Sequence, residues 1–308
     1  MKKKILLVAA VVVAFSVLAA CGKAAGDKKP ENGNNLAGHT ASSGQENAEK
    51  RTENENKEAG NMEHGGGHGD HGTAAKTASE DLYVSFSFPA GAAKANEETE
   101  LTIKITDKNG KAVNKYDVNH EKLLHLIIVN HDLSFFNHIH PEFKGDGTFT
   151  VNTSFPAGGE YKVFADFIPT GGANSTLSEW VKVEGKESKH AAITAEAKLV
   201  KEVGGKEIEL DLSGTKPNEE VTLTFNIRDA KTKKGIDNLQ PYLGAVGHVV
   251  ILSKDANQYL HVHPIDEKAT GPDAKFATSF PQSGTYKLWG QFQHNGEVFT
   301  VPFVVDVK

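Results

Sequence analysis

Beyond about residue 80, apolar and polar residues alternate in short runs, the period of a half-buried β-strand. LYVSFSF from Leu82, TELTIKI from Thr99, GTFTVNTSF from Gly147, YKVFADF from Tyr161 and EWVKV from Glu179 all read this way. Gly, Pro, Asn and Asp separate the runs, as in Asp107-Lys108-Asn109-Gly110. No window of helical length sustains a 3.6-residue apolar period here, so the predicted class is all-β, with strands and turns at the spacing of an immunoglobulin-like sandwich.

Glu184 to His190 is a polar linker, after which the pattern starts again. Asn96-Glu97-Glu98 with LTIKI returns as Asn218-Glu219-Glu220 with LTFNI, and SFPAGGEYKVFADF from Ser154 returns as SFPQSGTYKLWGQF from Ser279. The offsets of 122, 123 and 125 residues between copies drift as loop insertions would make them. The expected organisation is an internal duplication giving two tandem β-sandwiches, at residues 80–185 and 191–308.

The first 79 residues have a different pattern. Lys2, Lys3 and Lys4 precede a continuous apolar segment from Ile5 to Ala20, broken by Ser16 and followed by Cys21. This has the layout of a secretory signal over residues 1–20 and is short for a membrane-spanning helix. Leu18-Ala19-Ala20-Cys21 resembles the bacterial lipobox, which implies lipidation of Cys21 and anchoring to the outer face of the cell membrane; the alternative, an uncleaved anchor, also places the body outside the cytoplasm. Residues 21–79 lack periodicity and hold almost no aromatic or β-branched residues, the composition of a disordered tether. Its reach is on the order of 40 Å. It carries His64, His68 and His71 among glycines, a weak and unselective site for Cu²⁺, Zn²⁺ or Ni²⁺, or else a solvated linker.

Candidate chemistry lies in a pattern written twice. His125 opens an apolar run and is followed by His138, His140 and Pro141; His248 opens another and is followed by His261, His263 and Pro264. Alternate strand residues share a face, so each His-x-His projects two imidazoles together. A hairpin folded about residues 132 and 133 sets His125 opposite His140 and diagonal to His138. Folding about residues 255 and 256 sets His248 opposite His263. One three-histidine site per sandwich is therefore expected, suited to a transition-metal ion, copper ahead of zinc. The alternative is that these histidines cap the sheets as structural groups. Asp166 is a candidate fourth ligand in the first site, where the second copy has Gln291. His120, His131, His190 and His294 have no counterpart in the other copy and rank lower. Because ligation needs neutral imidazole, affinity is expected to fall below roughly pH 6.

The net charge of −6 and the absence of a compact basic face argue against a nucleic-acid partner. There is no nucleophile elbow or P-loop, and the single cysteine is Cys21, so the chain reads as non-enzymatic, with metal-dependent hydrolysis left open. His120 to His125 superficially resembles a zinc-protease motif, but its second histidine falls at i+5, off the shared helix face.

The residues GHVVIL, LHVHP and the SFP–G–YK–F pattern resemble the extracytoplasmic bacterial β-sandwich domains grouped as YtkA-like, which are similar in style to FixH-type domains and periplasmic copper carriers. The resemblance implies an immunoglobulin-like fold and a link to copper or another transition metal. Unlike methionine-rich copper carriers, the chain beyond Cys21 has only Met62, so a thioether site within the sandwiches is not expected. The function expected is metal buffering, delivery or resistance by a lipid-anchored protein, with a metal-donor or metal-acceptor protein as partner. The alternative is an envelope adhesion or interaction module.

Overall fold

The computed structural model describes residues 81–260 and 262–308. The expected signal segment, the tether with Cys21, His64, His68 and His71, and His261 lie outside the described residues. Among the described residues every regular element is a strand. The first half runs β1 (Leu82–Ser87), β2 (Ala93–Lys94), β3 (Glu98–Asp107), β4 (Tyr116–Asp117), β5 (Leu124–Asn130), β6 (Phe136–Ile139), β7 (Glu142–Gly145), β8 (Thr148–Ser154), β9 (Gly159–Pro169) and β10 (Ser175–Glu184). The second half runs β11 (Val200–Val203), β12 (Lys206–Leu212), β13 (Glu220–Asp229), β14 (His248–Ser253), β15 (Tyr259–Leu260), β16 (His263–Pro264), β17 (Asp273–Ser279), β18 (Gly284–His294) and β19 (Glu297–Val307).

Each half is a sandwich. In the first, the sheet β1-β3-β8-β7 faces β2-β10-β9-β5-β6, with β4 on the end of β9; in the second, β11-β12-β13-β17-β16 faces β15-β14-β18-β19. Alternation explains both cores. Leu101, Ile103 and Ile105 of β3 meet Leu126 and Ile128 of β5 and Val163, Ala165 and Phe167 of β9. In the second sandwich Leu223, Phe225 and Ile227 of β13 meet Val249 and Ile251 of β14 with Leu288 and Phe292 of β18.

A third apolar cluster joins the sandwiches. It is formed by the residues that alternate with the core positions: Ile127, Val129 and Phe164 from the first half, and Val250, Leu252 and Trp289 from the second, with Leu133, Ala256 and Tyr259 from the turns and β15. Both faces of β5 and β14 are thus covered, which is why these strands read as unbroken apolar runs and not as alternations.

The contacts across this interface come in matched pairs. Phe136 stacks on Trp289 with centroids 4.6 Å apart, and Phe164 packs against Tyr259 at 5.6 Å. Lys162 donates to Asn257 Oδ1 at 3.1 Å, and its counterpart Lys287 donates to the Leu133 carbonyl at 2.7 Å. Phe136 corresponds to Tyr259, Phe164 to Trp289 and Lys162 to Lys287 in the duplication, so the halves pack like the two subunits of an isologous dimer carried on one chain.

Candidate metal centre

The pseudo-symmetric interface brings imidazoles from both halves together. Both hairpins take the expected register, with Leu126 opposite Ile139 and Ile251 opposite Leu260. His125 opens the interface-facing set of β5 with Ile127 and Val129, and His248 opens that of β14 with Val250 and Leu252. The two rings consequently stack across the interface, with centroids 5.4 Å apart and planes 9° from parallel. His138, next to the end of β6, completes the group at 5.3 Å from His125 and 4.7 Å from His248. Ligating atoms of His125, His138 and His248 all lie within 4.8 Å of one another.

The converging set among the described residues thus draws on both sandwiches, where the sequence leads one to expect one site in each. Among the described residues the second hairpin pairs as far as Leu260, and His263 pairs with Ala277 of the other sheet and is exposed. His248 joins the histidines of the first sandwich instead. His140 remains with them, its ring 4.9 Å from His125 and 4.7 Å from His138. His261, expected beside His263, lies outside the described residues. His120, ranked low in sequence, stands over the group at 6.2 Å from His125 and 5.7 Å from His248.

Asp166 and Gln291 hold equivalent places, opposite His125 and His248 on the neighbouring strands. Their roles differ from those expected. Asp166 is buried and accepts from Thr176 Oγ1 at 3.2 Å and from the Tyr259 hydroxyl of the other sandwich, while the imidazoles converge without it. Burial, with the Asp166 carboxylate adding to it, holds the Tyr259 phenol well above its ordinary pKa. Gln291 also reaches across: its Oε1 accepts from His138 Nδ1 at 2.6 Å, and its Nε2 donates to Thr300 Oγ1 at 3.2 Å.

These partners determine where the ring protons sit. His125 Nε2 lies 2.9 Å from the Asn119 carbonyl, which can only accept, so Nε2 is protonated and Nδ1 presents a lone pair. His138 Nδ1 is engaged by the Gln291 amide at 2.6 Å, so its Nε2 is the nitrogen turned toward His125. His125 Nδ1 and His138 Nε2 lie 3.0 Å apart, within hydrogen-bonding distance. Two further ring nitrogens, His248 Nδ1 and His140 Nε2, are buried with no hydrogen-bond partner.

Burial keeps His138, His140 and His248 uncharged at neutral pH. Burial, helped by the neighbouring imidazoles, pushes His138 down to about 4 even though the Gln291 bond opposes it, and pushes His140 down to about 3. The same causes hold His248 well below the ordinary histidine range. A base whose folded pKa lies below its unfolded value binds protons preferentially when unfolded. The metal-free protein is therefore expected to be fully stable above about pH 6.5 and to lose stability as the pH falls toward 4. Keeping His138 neutral down to about pH 4 corresponds to roughly 3 kcal/mol at the acid end. Urea denaturation across this range checks the expectation, and a flat stability from pH 7 to 4.5 would contradict it.

The family described as "Domain of unknown function (DUF8832)" matches the sequence twice, over residues 77–185 and 201–308. The chain belongs to the DUF8832 family. Its two DUF8832 copies are the two sandwiches, and the imidazole cluster draws on both. No curated protein matches the sequence. Among solved structures the chain is similar to the Escherichia coli adhesin FdeC, at 18% identity over 73% of this chain and 64% of that one, with a TM-score of 0.25. It is also similar to invasin, a bacterial integrin-binding protein, at 12% identity over 73% of this chain and 39% of that one, with a TM-score of 0.22. A third similarity is to fibronectin(III)-like modules of Clostridium thermocellum CbhA, at 12% identity over 73% of this chain and 94% of that one, with a TM-score of 0.20. The chain thus spans less than two thirds of the FdeC and invasin structures, and similarity at these TM-scores carries no argument about function.

Proposed function

We propose that this protein binds a transition-metal ion, copper ahead of zinc, at the imidazole cluster between its two sandwiches. Its role is metal buffering, delivery or resistance at the outer face of a bacterial cell membrane, to which lipidated Cys21 holds it. The observation that carries the reading is the convergence of ring nitrogens of His125, His138 and His248 within 4.8 Å of one another, with His125 Nδ1 and His138 Nε2 only 3.0 Å apart.

Tetrahedral coordination at metal–nitrogen distances of about 2.0–2.1 Å separates neighbouring donors by about 3.3 Å, so the His125–His138 pair is already near the required spacing. With His138, His140 and His248 held neutral by burial, a cation does not have to displace an imidazolium proton from them. The carbonyl of Asn119 and the amide of Gln291 fix the ring tautomers, the usual task of groups behind metal-binding histidines. His140, with its ring 4.7 Å from that of His138 but outside the converging three, can supply a fourth donor. An all-nitrogen set suits Cu²⁺ best by intrinsic affinity, with Zn²⁺ next. His64, His68 and His71 capture ions on the tether, and the YtkA-like resemblance supports the extracytoplasmic setting.

Calorimetric titration of the full chain carrying His64→Ala, His68→Ala and His71→Ala tests the reading. One site for Cu²⁺ or Zn²⁺ is expected, together with a rise in the midpoint of thermal unfolding. No heat beyond that of a variant also carrying His125→Ala and His138→Ala would leave the alternative, a non-enzymatic envelope interaction module in which the histidines are structural.

A further inference from the structure

One turn lies against the imidazole cluster. Asn119 and Lys122 close it with reciprocal backbone hydrogen bonds of 2.8 and 3.0 Å, and its central residues, His120 and Glu121, have φ of 45° and 65°. Two successive positive φ values are the mark of a tight hairpin turn that prefers Asn and Gly. The equivalent turn of the second sandwich, Tyr242 to Ala245, has Leu243 and Gly244 at these positions, with φ of 55° and 79°. The first copy therefore places a histidine where the second has leucine, and accepts a glutamate in left-handed backbone where the second uses glycine.

The turn is tied to the cluster on three sides. Its Asn119 carbonyl fixes the tautomer of His125. The His120 ring meets His125 and His248 edge to face, one from each sandwich. The Glu121 side chain lies against the second sandwich's turn, with Cγ 3.4 Å from where a Cβ on Gly244 would stand. His120 is half-buried, between the interior and the exposed residues Val118 and Glu121.

Resting on the metal-binding reading above, we propose that His120 is the transfer ligand of this centre, the imidazole through which a transition-metal ion steps between the buried histidines and an acceptor outside. Ions leave such a site by replacing donors one at a time, and an imidazole carried on a turn and packed edge to face against His125 and His248 offers the intermediate position. A left-handed turn that histidine tolerates better than most side chains allows the ring to be held there.

The test uses the full chain with the tether histidines replaced by alanine, loaded with Cu²⁺ or Zn²⁺ and mixed with the chelator 4-(2-pyridylazo)resorcinol in stopped flow. His120→Asn, which keeps a residue suited to the left-handed turn, is expected to slow both loading and release by about tenfold, leaving the dissociation constant within about threefold. His120→Leu, the residue of the second copy, should behave alike and guards against a local folding defect of the first variant. Substoichiometric Cu²⁺ should broaden the His120 ring resonances of the unsubstituted chain. Unchanged rates in both variants would overturn the proposal while leaving metal binding intact. A dissociation constant raised tenfold or more with release faster would overturn it in favour of a resident ligand. Absence of binding in the unsubstituted chain would instead refute the metal site itself.

Discussion

Replacing His248 with alanine is expected to weaken Cu²⁺ or Zn²⁺ binding by about 100-fold or more, although the other converging imidazoles belong to the other sandwich. Zinc sites with four protein ligands bind with about 10–16 kcal/mol, or roughly 3 kcal/mol per ligand, and each 1.4 kcal/mol is about a factor of ten. His248 supplies one of three nitrogens that lie within 4.8 Å of one another. Gln291→Ala leaves the donors in place but frees the His138 ring to turn, and a smaller loss of about 10–100-fold is expected. His263→Ala should change affinity by less than about threefold, because His263 is on the opposite sheet. Competition titrations on the three variants check this order. Equal losses for His248→Ala and His263→Ala would restore a separate site in the second sandwich.

The second large effect is expected from Trp289→Ala. Trp289 is buried, stacks on Phe136 at 4.6 Å with planes 13° apart, and belongs to the cluster joining the sandwiches. Truncating a buried tryptophan costs about 3–5 kcal/mol. Here the loss falls on the contact between halves more than on either core, since the neighbours of Trp289 in the third cluster come from both sandwiches. Calorimetric unfolding is expected to separate into two transitions. Metal affinity should fall at least tenfold with every histidine still present, because the strand bearing His248 is no longer held against β5. Trp289→Phe, which keeps a stacked ring, should retain most of both properties. A single transition at the unsubstituted temperature with unchanged affinity would show that the interface does not hold the cluster together.

Much of the architecture was legible from residue order alone. Period-two alternation in TELTIKI and GTFTVNTSF identified strands because half-buried strands must alternate, and β3 and β8 are such strands. The duplicated SFP and YK segments identified two sandwiches, matching the two stretches of the family match. Hairpin folding about residues 132 and 133 followed from equal spacing, and the register agrees.

The site was legible only in part. His125 and His138 were found by their spacing, and they meet. Their third partner was not, because spacing within one hairpin says nothing about contact between domains. One signal was present: HLIIV and HVVIL lack the alternation of their neighbours, which marks strands covered on both faces. That observation already required each strand to have a second apolar partner, and the similarity of the runs pointed to each other. His120 lacked any such mark, having no counterpart in the second copy; its place beside His125 and His248 depends on the turn geometry.

The repeated three-histidine pattern and the asymmetry of Asp166 and Gln291 were determined by the sequence, as were the two sandwiches that carry them. Tertiary structure decided how the copies share the chemistry. Equivalent apolar faces from a duplication pack well against each other about a pseudo-two-fold axis, and that packing stacks His125 on His248 while His263 pairs in the other sheet. Whether the histidines gather in one cluster or two is therefore a property of the interface and not of the motif, because only packing brings imidazoles from separate sandwiches within a few ångströms.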